Sequence, residues 1–114
     1  MRRSRAPPYR RRMAGVGRRT YLVECYVPGA RSEAVQAAVA RACAAAAELR
    51  GEGRDVEHVS AIHVPGDEVA FHVFEAEDED AVREASARSA VPYERIVESI
   101  TLGGRAAGAT RADR

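Results

Sequence analysis

The sequence predicts an α+β fold, a single four-stranded sheet with two helices packed on one face. Three observations carry this. Short runs rich in β-branched and aromatic residues recur four times, two segments show apolar residues at helical spacing, and one Pro-Gly-Asp cluster joins two of the apolar runs as a tight hairpin would.

The first run, TYLVECYV at 20–27, is closed by Pro28-Gly29 and reads as a strand. The segment that follows places Val35, Val39, Ala42, Ala46 and Leu49 on one helical face. Ser32 stands at its N-cap position, and the helix runs out at Gly51 and Gly53. That face is mostly alanine, so the helix can lie close to a sheet. Residues 56–64 (VEHVSAIHV) and 68–76 (EVAFHVFEA) read as two strands joined at Pro65-Gly66-Asp67. Asp78, Glu79 and Asp80 put negative charge where a helix N-terminus favours it, and DAVREASARSA forms the second helix, stopping before Pro92. The last strand is ERIVESITL at 94–102. The order β-α-β-β-α-β is the ferredoxin-like split βαβ arrangement. Such a sheet leaves one face open, and an open apolar face calls for a partner, here a homodimer with its sheets associated.

With 114 residues the chain is one domain. The expected division is a basic leader at 1–19, the domain at 20–104 and a tail at 105–114. The net charge of +1 conceals an asymmetry: the leader holds eight arginines and no acid, whereas 20–104 holds seven arginines against sixteen carboxylates. An Arg-, Pro- and Gly-rich leader without apolar periodicity reads as disordered, or as an artefact of a start codon assigned upstream of Met13. The acidic body repels phosphates, which argues against nucleic acid. No apolar run approaches a membrane span, and no apolar stretch follows the arginines as in a secretory signal. Cys25 and Cys43 form no C-x-x-C pair. They read as buried free thiols and suit a reducing cytoplasm.

The three histidines, His58, His63 and His72, all fall in the hairpin. A turn at Gly66-Asp67 pairs Val64 with Val69, His63 with Ala70, Ala61 with His72 and Val59 with Phe74. Ile62, Val64, Val69, Phe71 and Val73 form the more apolar set, the expected helix-facing core. His63 and His72 then lie diagonally on the open face, and His58 is a rim residue. In the first strand Tyr21, Val23 and Cys25 face the helices, leaving Glu24 open, and Glu98 of the last strand joins it. With the first strand between the third and the last, His63, His72, Glu24 and Glu98 become a candidate metal-ligand set. Imidazole with carboxylate suits nickel or another divalent transition metal. The same groups could serve as acid and base. Tyr21, Tyr26 and Tyr93 are available to line an organic-ligand pocket. No phosphate-cradling glycine loop, zinc C-x-x-C pattern or visible serine nucleophile is present.

The stretches YLVECYVPG, VPGDEVAFHVFEAEDEDAVREA and VPYERIVES, with the alanine-rich helix, resemble a family of small, mainly bacterial ferredoxin-like proteins that includes a nickel-binding type. The resemblance spans 20–102. It implies a homodimer with a transition-metal site, nickel being the metal. The family pattern has cysteine where His72 stands, which keeps a ligand, and histidine where Ala85 stands, which removes one. Two alternatives remain open: a cofactor-independent dimeric enzyme of the monooxygenase, isomerase or cyclase type, by analogy of fold, and a non-catalytic dimerisation or binding module.

Overall fold

Side chains alternate across a strand, so which residues meet the helices is set by strand pairing. The computed structural model describes residues 17–103. The expectations for the leader up to residue 16, including the start at Met13, and for the tail lie outside the described residues. The strands are β1 (Arg19–Tyr26), β2 (Val56–Val64), β3 (Val69–Ala76) and β4 (Arg95–Ser99). The helices are α1 (Ser32–Gly51) and α2 (Glu79–Arg88). The sheet order is β2-β3-β1-β4 with every pairing antiparallel, so the ferredoxin-like α+β arrangement is the observed fold.

Alanine decides how closely the layers approach. Ala42, Ala45 and Ala46 of α1 and Ala81 and Ala85 of α2 are buried with Leu49 and Val82 against Val23, Val56 and Phe74 of the sheet. Small side chains bring helix axes close to the strands, so the sheet's inner face must itself be lined by small or flat groups. Ala70, His72, Phe74 and Ala76 of β3 fit that space. The Asp78 side chain caps α2, accepting from the Ala81 amide at 2.9 Å. Ser32 does not cap α1. The helix begins at that residue, and the preceding Arg31 makes no side-chain cap bond. Arg88 donates to Glu84 within α2 and links the helices by donating to Glu48 and Glu52, and the Glu52 carboxyl is held below its ordinary range by that guanidinium.

The hairpin keeps the expected pairs, Val64 with Val69, His63 with Ala70 and Ala61 with His72. The loop between them is a 3-10 turn at Pro65–Asp67 that closes on Glu68 in the left-handed region at φ 57. Two expectations about faces are overturned. First, Val23 pairs with His72 and Cys25 with Ala70, which places His63 and His72 on the helix side. Ile62, Val64, Val69, Phe71 and Val73 line the open face instead, where Ile62 is 54% exposed. The larger apolar set was assigned to the helices, but an alanine-lined helix layer leaves room only for the smaller one. Second, β2 carries a bulge between His58 and Ser60, so His58 and not Val59 lies opposite Phe74. One extra residue turns His58 inward.

Arg18 precedes β1 and is fixed by ion pairs to Asp55, Glu57 and Glu75 at 3.0–3.1 Å. Glu57 and Glu75 are direct cross-strand partners, and this single cation relieves their repulsion.

Candidate functional site: a buried histidine pair beside a cavity

The bulge and the hairpin register bring His58 and His72 together under α1. His58 Nε2 and His72 Nδ1 are 2.9 Å apart, and the ring centroids are separated by 5.1 Å. His58 also meets Phe74 edge-on, at 5.0 Å and 84°. His72 is 2% exposed and His58 9%. On the outer side, His58 Nδ1 lies 3.8 Å from the thiol of Cys43, which is exposed on α1 rather than buried as expected. The three groups form a line from the surface to the interior.

One proton lies between His58 Nε2 and His72 Nδ1, so one ring donates and the other accepts. Burial lowers the His58 pKa. Burial, with the positive charges of His58 and Arg41 adding to it, pushes His72 down to about 4. Both imidazoles are therefore neutral at pH 7, the form that binds metals or exchanges hydrogen bonds.

His72 also lines a cavity of about 140 Å³ between α1 and the sheet. Its walls are apolar, from Val27, Ala34, Val35, Ala38 and Val91, with Arg41 and the Cys25 thiol as the other polar groups. Burial, aided by Glu94 and Glu24, pushes Cys25 up to about 11, so this thiol is a neutral wall and not a nucleophile. The three tyrosines do not line this cavity: Tyr21 is in the core, Tyr93 packs on its edge, and Tyr26 is 55% exposed.

The family model described as nickel responsive protein SCO4226-like matches residues 21–98. The chain belongs to this family. The span shared with the SCO4226-like proteins begins at Tyr21 in β1 and ends at Glu98 in β4, and so takes in both helices and all three histidines. No curated protein and no solved structure matches the chain.

The four ligands expected from the sequence do not converge in this SCO4226-like chain. His63 shares a face with His72, as the pairing requires, but it sits near the start of α1, where Nδ1 is 3.0 Å from the Ser32 hydroxyl. Its Nε2 is buried without a hydrogen-bond partner. Glu24 lies on the other face of the sheet, opposite Phe71, and accepts from Arg95 at 2.7 Å. Glu98 pairs in register with Tyr21, not with the open-face set, and its carboxylate is 3.7 Å from Arg19. The partner that sequence reasoning missed is His58. Its only sequence signal is weak, an extra residue in β2 relative to strict alternation.

Among the described residues, no group of three or more histidine, cysteine or acidic side chains is placed to hold a metal ion. The donor chemistry nevertheless fits a divalent transition metal in part. Two nitrogens each at ~2.0–2.1 Å from an ion, at a right angle, stand about 2.9 Å apart. That is the spacing of His58 Nε2 and His72 Nδ1. Neutral imidazoles are borderline donors that nickel accepts.

Proposed function

We propose that the protein binds a divalent transition metal, nickel by the name of its family, with His58 and His72 supplying the nitrogen donors. The observation that carries this reading is the 2.9 Å approach of the two ring nitrogens in a buried site, where a cation can take the place of the shared proton. Two donors leave the remaining coordination positions to water or a second molecule. A metal would supply charge there, and this chain's residues hold the two rings in place through Phe74 on one side and Cys43 on the other. The reading keeps His72 from the sequence-derived set and replaces His63 by His58.

Calorimetry with nickel chloride on the untagged protein tests it. Stoichiometric binding is expected, weakened at least about tenfold by His58→Ala or His72→Ala. His63→Ala and Glu98→Gln leave it near the wild-type value. Absence of stoichiometric binding, or wild-type affinity in the His58→Ala and His72→Ala proteins, sinks the proposal.

The protein is further proposed to act as a homodimer whose open sheet faces meet. Phe71, Val73, Leu22 and Val97 on that face are only half covered in a single chain, and Ile62 is largely exposed. Free thiols support a cytoplasmic setting. Among the described residues, no helix is long and apolar enough to cross a membrane.

A further inference from the structure

We propose that the cleft between α1 and the sheet binds a small apolar monocarboxylate of about the size of benzoate, its carboxylate held by the Arg41 guanidinium at the edge of the cleft that His72 lines. Size comes first. The cleft offers about 140 Å³ and is open to solvent on one side, and an apolar cavity of ~150 Å³ takes one benzene-sized molecule. The walls offer an organic ring or branched chain only aliphatic contact, from Val27, Ala34, Ala38 and Val91.

The polar groups set the charge of the ligand. Arg41 donates from Nε to the Ser89 carbonyl at 2.8 Å, which anchors the side chain to the end of α2. Arg41 is exposed, its two terminal nitrogens have no protein partner among the described residues, and no carboxylate pairs with it, although Arg18, Arg54, Arg83, Arg88 and Arg95 all have one. An unpaired guanidinium lining an apolar cavity is the arrangement an anionic oxygen completes. His72 contributes a second polar atom: its Nδ1 is taken by His58, and its Nε2 has no protein partner among the described residues. A guanidinium at the edge of an apolar cleft selects a carboxylate over an amine, which meets like charge, and over a plain hydrocarbon, which brings it no counter-charge.

This site uses the ring nitrogen of His72 that faces away from His58, so it does not depend on metal binding. The test is accordingly made on full-length protein treated with a chelator. Benzoate and its neutral isostere benzamide are titrated by calorimetry and by NMR of the backbone amides. Benzoate is expected to bind one to one, and benzamide at least about tenfold more weakly, the worth of a charge-assisted pair. Arg41→Gln should reduce benzoate binding by a similar factor, with Arg41→Lys recovering part of it. Ala34→Leu, at an exposed helical position that borders the cavity, should block binding without unfolding the protein; circular dichroism of each variant checks that it is folded. No saturable benzoate binding below about 10 mM, equal affinity for benzamide, or unchanged binding by folded Arg41→Gln protein each overturns the proposal.

Discussion

At the scale of single residues, His72 combines the most functions. It closes the sheet under α1, meets His58 through one nitrogen and borders the cavity with the rest of its ring. Keeping it neutral has a consequence for stability. In the unfolded chain it titrates near 6.5, whereas burial, His58 and Arg41 hold the folded group at about 4. Between those values the unfolded state binds more protons, so this group's contribution is fully present above pH 6.5 and is lost as the pH falls towards 4. The loss is at most about 3 kcal/mol. Urea unfolding in the presence of a chelator at pH 7 and pH 4.5 should show wild-type protein losing more stability than His72→Leu. The carboxylates titrate in both proteins and cancel in the comparison. Equal losses would mean that the imidazole is protonated in the fold. His63 shows what was illegible at this scale: its placement on one face with His72 followed from counting residues across the hairpin, but which face that was did not.

The face is settled at the scale of elements. Element order, helix number and the hairpin pairing up to Ala61 with His72 followed from local signals: the four β-rich runs, the helical spacing of Val35 to Leu49 and the Pro-Gly-Asp cluster. The strand order followed from the fold that this element order implies. Inside and outside did not follow, because both faces of β3 carry apolar residues and hydrophobicity alone ranks Phe71 and Val73 above Ala70 and His72. Packing ranks them the other way, since α1 presents Ala42, Ala45 and Ala46 to the sheet. The thinness of this layer is testable. Ala46 is fully buried, and Ala46→Leu should destabilise the protein by about 1–3 kcal/mol through overpacking. Ala47→Leu, one position along on the exposed side, should stay within about 0.5 kcal/mol. Chemical denaturation of the two variants distinguishes them, and equal effects would mean that α1 stands off the sheet.

At the scale of the whole molecule, the inner face is complete and the outer one is not. The helices cover His58, His72 and Phe74, while the larger aliphatic and aromatic side chains of the sheet remain on the open face. Size-exclusion chromatography with light scattering is expected to give a dimer for the wild-type protein. Phe71→Asp, which puts a charge at the middle of that face, should give a monomer with the helix content retained. A wild-type monomer, or a dimer undisturbed by Phe71→Asp, removes the paired-sheet assembly. The charge distribution is compatible with such pairing, since Glu24 on this face is already neutralised by Arg95. The bulge in β2 has one more consequence. Below it, positions facing the helices are even-numbered; above it they are odd-numbered, so the strand is written in two reading frames that meet at Val59. Deleting Val59 would merge them into one frame. Both sides would keep their places, with His58 still opposite Phe74 and Ser60 still opposite Val73, so the His58–His72 pair should survive the loss of the bulged residue.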